Sequence, residues 1–443
     1  MGSRTCLTAI MALAAFAAHA QESVRPVESH AIDLAAIHAD MQGAAAVAAL
    51  AAAEAQTATE TPRRIALMAW GDSPSDESQL RGMKEAGLNL SGFCKVADLD
   101  RVRKAGLQCL VTDPRVNGYD WLHLPADDKI VESLRSLQRE IAGNPAALGF
   151  FLADEPNGQT IPQIGHVATL ARPVLRGLLP YANLFPIYAT REQQKAESYD
   201  AYAKMLLNGT GQPMLSYDNY SLIDSKMLDR FYTNLEIARR IGIETHTSLW
   251  NCILAVAHFN YMEPSDSTFN LQVYATLAYG GKGIQYFTYF SPKVGNYRLA
   301  AIDQFGNRTS TWDALRRINL QVQALSPTLA RLHSTGVYHF PDVPEQGHPL
   351  SESRYVRSVE LSQARNEPSL PGRILLGELE DESGRPYCMI VNKDLTNSFS
   401  FQIELRQPYR KLIRVSSYTG EEEDFGGEMS WLAPGAGILF RVE

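Results

Sequence analysis

The strongest constraint on the fold of this chain is a regular alternation of short apolar runs and amphipathic stretches over residues 63–333. Short apolar runs bounded by turn residues predict buried strands, and stretches with apolar residues at helical spacing predict helices. The eight predicted strands are Ile65–Trp70, Leu88–Phe93, Leu107–Thr112, Leu148–Ala153, Leu184–Tyr188, Met214–Tyr217, Thr245–Leu249 and Ile284–Tyr289. The predicted helices between them include Asp76–Glu85, Asp127–Ala142, Ile161–Leu178, Leu228–Ile241 and Phe269–Tyr279.

This alternation predicts an α/β fold of the (β/α)8 TIM barrel type, because such barrels typically need roughly 250 residues for eight strand–helix units. An open doubly wound sheet is the rival architecture. That fold usually carries a glycine-rich turn after its first strand, and Ala69-Trp70-Gly71-Asp72 is not such a turn.

The pattern changes after the predicted helix Trp312–Leu332, which we expect to complete the barrel. Alternating short strands separated by turn residues then predict a small antiparallel β-domain, sandwich-like, over residues 334–443. Its predicted strands are Ile374–Leu379, Tyr387–Asn392, Phe399–Leu405, Ile413–Ser417 and Ile438–Val442.

The first 20 residues have the three-part order of a signal peptide. Arg4 supplies a positive start, residues 7–17 are apolar, and Ala18-His19-Ala20 is typical of a cleavage site. Residues 21–62 are rich in alanine and poor in large side chains, so we expect a helix or linker there. These features predict a periplasmic or secreted protein without a membrane anchor.

Composition excludes some partners. The formal net charge is -8, which does not indicate the clustered basic face that nucleic-acid binding requires. Four cysteines would remain after cleavage, and their wide spacing does not match a zinc site. We therefore expect no metal, no cofactor and four unpaired, mostly buried thiols. The oligomeric state is not determined by the sequence.

The candidate site follows from the barrel, whose reactive groups lie at the carboxyl ends of the strands. Carboxylates and aromatic rings dominate those positions, which suits cleavage of a glycosidic bond. The candidate catalytic residues are Glu155, Asp218 and Asp154, and the candidate substrate-binding residues are Trp70, Asp72, Asp113, Asn183, Tyr217, Tyr220, Trp250, Asn251, Tyr286 and Tyr289.

The sharpest motif is Asp154-Glu155-Pro156, which follows the apolar run of the predicted fourth strand. It resembles the Asn-Glu-Pro motif that ends the fourth strand of clan A, β-galactosidase-like glycoside hydrolases. The resemblance implies a (β/α)8 barrel acting on a carbohydrate, with Glu155 as the catalytic acid/base. Asp154 then stands where that clan has the asparagine that touches the sugar 2-hydroxyl.

The second carboxylate departs from that clan, whose nucleophilic glutamate ends strand seven, where this chain has Trp250-Asn251. Glu263 follows in the next loop and could fold back, although an acid at the start of a helix is the preferred interpretation. The segment Met214–Asp218 is similar to strand six of family 18, chitinase-like barrels. We pair Asp218 with Glu155 and leave its role open among nucleophile, base and orienting group.

The sequence thus predicts an exported glycoside hydrolase that acts on an oligo- or polysaccharide. The alternatives are a non-catalytic carbohydrate-binding barrel and an N-acetylhexosaminidase-type enzyme in which the substrate's own N-acetyl group assists. The sugar, its linkage, endo or exo action and retention or inversion are not determined by the sequence.

Overall fold

A computed structural model of the chain describes residues 64–363, 372–427 and 430–443. The predicted signal peptide (1–20) and alanine-rich segment (21–62) lie outside these residues. Residues 64–443 form one compact unit, in which a barrel is followed by a β-domain.

Eight parallel strands form the barrel. They are β1 (Ala66–Ala69), β2 (Leu90–Cys94), β3 (Gln108–Val111), β4 (Ala147–Asp154), β5 (Leu179–Asn183), β6 (Met214–Asp218), β7 (Ser248–Leu254) and β8 (Gly283–Phe287). The strands pair with their neighbours in chain order except between β5 and β6, and β8 pairs with β1. Between β5 and β6, a bridge of Leu184 to Tyr217 and a 2.8 Å bond from the Leu184 amide to the Ser216 carbonyl nearly close the ring. The predicted barrel is confirmed.

The helices surround the strands, and several of them begin at polar caps that satisfy their first amides, such as Asp76, Ser198 and Ser265. They are α1 (Glu77–Glu85), α2 (Leu99–Lys104), α3 (Pro114–Asn117), α4 (Asp127–Ile141), α5 (Ile161–Ala171), α6 (Arg191–Gln194), α7 (Tyr199–Thr210), α8 (Arg230–Thr245), α9 (Asp266–Ala278) and α10 (Ser310–Leu329).

Two strand predictions are wrong by several residues. The fifth strand is Leu179–Asn183 and includes Pro180, a residue that sequence patterns count against a strand. The amides of Phe185 and Ile187, within the predicted strand, bond to helix side chains instead. The seventh strand begins at Ser248, because α8 continues to Thr245.

The described residues of the β-domain form two sheets. Their strands are β9 (His333–Phe340), β10 (His348–Pro349), β11 (Val356–Gln363), β12 (Ile374–Glu380), β13 (Pro386–Asn392), β14 (Phe399–Leu405), β15 (Leu412–Val415), β16 (Glu422–Asp424), β17 (Trp431–Leu432) and β18 (Gly437–Val442). The larger sheet has the order β10-β9-β12-β13-β18-β15-β16, and β11, β14 and β17 form the smaller one. All pairings except β9 with β10 are antiparallel, as the sequence predicted for this domain.

The core has separate layers. One apolar cluster fills the space between the two β-domain sheets. The opposite face of the larger sheet, with Val337, Leu375 and Met389, belongs to the same buried cluster as the barrel's helices. A third cluster fills the barrel interior and includes Trp250 and Tyr181. The β-domain is therefore packed on the barrel through an apolar face.

Two further features concern the described part of the chain. None of its helices has the length and apolar character needed to cross a membrane. Cys94, Cys109, Cys252 and Cys388 are free, buried thiols, which agrees with the sequence-based expectation.

Candidate active site

Three carboxyl groups meet at the carboxyl ends of β4 and β6. The register of β4 against β5 shifts between Phe151 and Ala153, which is the signature of a β-bulge. After this shift, Asp154 pairs with Asn183 and its side chain lies on the inner face of the barrel. Regular alternation from Phe151, which faces the interior, would have pointed Asp154 at the helices. The bulge therefore brings Asp154 into the barrel mouth.

Glu155 reaches the same place by a different route. Its φ is 47°, in the left-handed region that non-glycine residues seldom occupy. Its amide bonds the Asn183 carbonyl at 2.8 Å, which ties this turn to β5. Its carboxyl group hydrogen-bonds that of Asp218, which projects inward from the end of β6. Backbone strain of this kind is typical of functional sites.

The electrostatics of the cluster favour keeping protons on it. Burial, followed by the charges of Asp218 and Asp154, raises the pKa of Glu155 to about 10. Burial and the charge of Asp154 raise the pKa of Asp218 to about 7. Asp154 is solvent-accessible, yet partial desolvation of its carboxyl group by the surrounding protein raises its pKa to about 6. At neutral pH Glu155 therefore keeps its proton and can donate it to Asp218, which becomes ionised as the pH rises past 7.

Asn183 connects the two aspartates. Its Nδ2 donates to Asp154 Oδ1 and to Asp218 Oδ1, each at 3.3 Å. Only 1% of Asn183 is exposed, so it lies beneath the carboxylates and not on the surface that a substrate would contact. Donation to a carboxylate favours its ionised form. Glu155 receives no such bond among the described contacts, which is consistent with its holding the proton.

Aromatic rings form one wall of the mouth, which we call the aromatic wall: Tyr220, His258, Tyr261 and Phe287. The ring of Tyr220 lies 5.1 Å from that of Phe287 and 6.1 Å from that of Tyr261. The Tyr220 hydroxyl is 3.6 Å from Cys252 Sγ on the inner face of β7. The wall thus extends from the carboxylate layer towards the solvent.

His258 within the aromatic wall is neutral. Burial lowers its pKa, and its Nδ1 donates to the Val256 carbonyl at 3.1 Å. The other ring nitrogen, Nε2, is then an acceptor. The imidazole stacks on Tyr297, with ring centroids 4.6 Å apart.

Several predicted site residues face away from the mouth. Tyr217, Asn251 and Tyr286 alternate with inward residues of their strands, Tyr289 follows the end of β8, and all four point at the surrounding helices. The Tyr286 hydroxyl bonds Asn319 of α10, and Asn251 bonds Thr276 of α9. These four predictions of substrate contact are corrected, because side chains on successive strand residues point to opposite faces.

The two predicted tryptophan platforms lie in the barrel interior. Trp250 is the third residue of β7 and not its end, and its ring lies 6.1 Å from that of Tyr181. A Cβ on Gly283 would lie 2.3 Å from the Trp250 indole, so the ring packs directly on the backbone of β8. Trp70 packs edge-on against Phe93 at 5.0 Å. Trp250 is therefore a core residue. Trp70 belongs to the same apolar cluster, and only 7% of its surface is exposed.

The remaining predicted acids differ in their surroundings. Asp113 caps α3 and binds Arg115, which in turn binds Glu140, so its carboxylate already has structural partners. Glu263 is exposed and pairs with Arg298 at 3.0 Å, and it does not join the carboxyl cluster. Asp72 is exposed just after β1.

Sequence reasoning missed several residues that support the site. Tyr199 and Tyr202 of α7 bond the backbone of the segments after β5 and β4, at Phe185 and Pro156. Arg230 of α8 lies over the ring of Tyr188, 4.1 Å from its centroid. A tyrosine pair at helical spacing is a signal in the sequence, but it is equally typical of core packing. Within the described residues no group of three or more side chains is arranged to hold a metal ion.

Solved structures of other proteins are similar to this chain at low sequence identity. The chain superposes on a glycoside hydrolase family 5 structure from Bacteroides vulgatus ATCC 8482 with a TM-score of 0.51 and 12% identity, over 87% of this chain and 92% of that one. A β-galactosidase from Marinomonas ef1 gives 0.45 and 10%, over 59% of this chain and 60% of that one. An endo-β-1,4-mannanase from Thermotoga petrophila gives 0.45 and 9%, over 75% and 95%.

The likeness to the Bacteroides structure shows a shared fold. The matched region spans about three-fifths of the Marinomonas enzyme. No protein-family model matches the sequence, and a search of curated proteins finds no match either.

Proposed function

We propose that this protein is a glycoside hydrolase that cleaves O-glycosidic bonds of an oligo- or polysaccharide, with Glu155 as the general acid. The observation that carries the proposal is a carboxylic acid with a raised pKa, Glu155, in contact with an ionisable partner, Asp218, at the mouth of the barrel. A carboxyl group that stays protonated at neutral pH can protonate a leaving oxygen. The occurrence of glycoside hydrolases with the same fold supports this choice.

In the proposed reaction, Glu155 gives its proton to the glycosidic oxygen as the bond from that oxygen to the anomeric carbon breaks. Asp218 and Asp154 provide negative charge near the cationic centre that develops in the sugar ring. Water then adds to the anomeric carbon and returns a proton to Glu155. The aromatic wall offers ring faces on which sugar rings can stack.

The close contact between Glu155 and Asp218 favours one variant of this mechanism. Retaining enzymes place their two carboxyl groups about 5–5.5 Å apart and inverting enzymes about 6.5–9.5 Å apart. Glu155 and Asp218 hydrogen-bond each other in the free protein, and the stereochemistry of the product tests which arrangement applies. An acid held against an aspartate also suits assistance by the substrate's own 2-acetamido group, with Asp218 orienting that group.

The deciding experiment is hydrolysis of a panel of glycans and aryl glycosides by the wild type and by Glu155→Gln. We expect a loss of at least about a hundredfold, within the range for removal of a general acid. Glu263→Gln is the matched control, because this exposed glutamate lies in the loop after β7, outside the carboxyl cluster, and pairs with Arg298. Full activity of Glu155→Gln would reject the proposed acid.

Two additions to the panel separate the alternatives. Faster cleavage of 2-acetamido-2-deoxy glycosides than of the corresponding 2-hydroxy glycosides supports substrate assistance. Proton NMR of the fresh product then reports retention or inversion. Glycan binding by a wild type that hydrolyses nothing would point to a carbohydrate-binding barrel instead.

We also propose that the protein is exported and that cleavage follows Ala20. The order of residues 1–20 supports this proposal. Mass spectrometry of the mature protein from the periplasm of a bacterial host should find Gln21 as the first residue. An intact Met1 in that fraction would reject cleavage.

A further inference from the structure

A row of buried polar side chains lies directly beneath the carboxyl cluster, on the inner face of the barrel. Gln285 of β8, Tyr181 and Asn183 of β5 and Ser216 of β6 are each at most 1% exposed. Polar groups at such depth are unfavourable unless they bond one another. The sequence interpretation used only Asn183 and assigned it to the substrate.

The bonds in this row have a direction. Gln285 Nε2 donates to the Tyr181 hydroxyl at 2.6 Å. The Tyr181 hydroxyl proton is then free for Ser216 Oγ, 2.9 Å away. Ser216 Oγ in turn donates to Asn183 Oδ1 at 2.9 Å, which is shorter than its 3.3 Å alternative to Gln285 Oε1.

This direction determines which end of the Asn183 amide faces the carboxylates. With Oδ1 occupied by the Ser216 hydroxyl, Nδ2 points at Asp154 and Asp218. The opposite orientation would place a carbonyl oxygen against two carboxylates and remove the amide donor from both. Chains of hydrogen bonds in a buried environment also strengthen one another.

We propose that Tyr181 and Ser216 are positioning residues that act through Asn183, orienting its amide so that Asp154 and Asp218 remain acceptors and Glu155 keeps the transferable proton. The contribution of Tyr181 and Ser216 to a reaction rests on the proposed hydrolase function. The orienting effect itself is a property of the free protein and can be measured without a substrate.

Other titratable groups around the cluster do not obscure this effect. The neighbours that interact with the charges of the carboxyl cluster are one thiol, six phenols and one guanidinium. They are Cys252 of β7, Tyr217 of β6, Tyr220 just after β6, Tyr199 and Tyr202 of α7, Tyr188 and Tyr261 of the loops after β5 and β7, and Arg230. Burial raises the pKa of each of these thiol and phenol groups. Burial lowers the pKa of His258 in the aromatic wall, so this ring stays neutral above pH 6.5. Changes at the cluster between about pH 6.5 and 9 therefore arise from its carboxyl groups.

The test is a pH titration of the full chain labelled with 13C at the aspartate carboxyl carbons, with signals assigned from Asp154→Asn and Asp218→Asn. Tyr181→Phe and Ser216→Ala should raise both aspartate midpoints by about half a unit or more, because the amide loses its fixed orientation. Asn183→Leu, which removes both donors, should give the largest rise. Tyr286→Phe is the matched control, since it removes a buried hydroxyl that bonds Asn319 on the helix side of the barrel.

Unchanged midpoints in folded Tyr181→Phe and Ser216→Ala, with folding checked by near-UV circular dichroism, would overturn the inference and leave the row a purely structural feature. If a substrate is found, the acidic limb of the activity profile should move upward with the aspartate midpoints. Absence of hydrolysis by the wild type rejects the proposed function but leaves the titration result decisive for the positioning role.

Discussion

The carboxyl groups of Glu155 and Asp218 hydrogen-bond each other although they come from the ends of β4 and β6, two strands separated by β5. Asn183, at the end of the intervening strand, bonds Asp218 with its side chain and the Glu155 amide with its carbonyl. Asn183 therefore links the two acids, and their coupling leads to the predictions that follow.

Activity should have a bell-shaped dependence on pH. The reaction needs Asp218 ionised and Glu155 protonated, so activity rises as Asp218 loses its proton near pH 7 and falls as Glu155 loses its proton near pH 10. The two midpoints belong to the coupled pair. They are measured as kcat/KM on the best glycoside of the panel, and an optimum below pH 5 would contradict this assignment.

Glu155→Gln should stabilise the fold at alkaline pH. The folded-state pKa of Glu155 is raised from 4.5 to about 10, so the unfolded state releases the proton first and stability falls as pH rises across this window. Glutamine does not titrate. The variant should therefore be about 1–3 kcal/mol more stable than the wild type at pH 8, with little difference at pH 4.5.

Urea unfolding at both pH values measures this gain. Glu263→Gln is the control, because its exposed ion pair with Arg298 should change stability by only about 0.5 kcal/mol. A wild type more stable than Glu155→Gln at pH 8 would show that Glu155 is ionised in the folded protein.

Tyr217→Phe should be neutral or slightly stabilising. The Tyr217 hydroxyl is buried and has no hydrogen-bond partner among the described residues. Its removal relieves the cost of burying an unpaired polar group, which is about 1 kcal/mol. Thermal unfolding measures the change, and the pH profile of activity should stay that of the wild type. A loss of activity would place this phenol at the substrate after all.

Trp250→Ala should damage the fold and not substrate binding. The indole lies in the barrel interior, 7% exposed, so truncation should cost about 3–5 kcal/mol. Trp431→Ala, which removes a half-exposed ring of the β-domain, is the matched control and should change stability by about 0.5 kcal/mol or less. An increase in KM without a loss of stability would restore Trp250 as a sugar platform.

Tyr261→Ala should weaken substrate binding. The ring is partly exposed at the mouth and contacts Tyr220 and His258. Loss of one stacking face should raise KM about fivefold to tenfold with a smaller change in kcat, since stacking contributes about 0.5–1.5 kcal/mol. Steady-state kinetics check this split, and an unchanged KM would remove Tyr261 from the substrate site.

The sequence by itself determined the barrel, the small β-domain and the position of the Asp154-Glu155 pair, because hydrophobic periodicity and a strand followed by two acids are local signals. It also placed Asp218 at the end of β6. These features depend on residues that are close together in the sequence.

Only the tertiary structure decided which side chains share the mouth. A bulge in β4 and the left-handed φ of Glu155 brought both acids inward, whereas alternation turned Tyr286 and Asn251 outward. A shift of one residue reverses the face of a strand, and Trp250 was misplaced because its strand begins later than predicted. The bonds among Tyr181, Ser216 and Asn183 cross between strands that are distant in the chain, so no local pattern could reveal them.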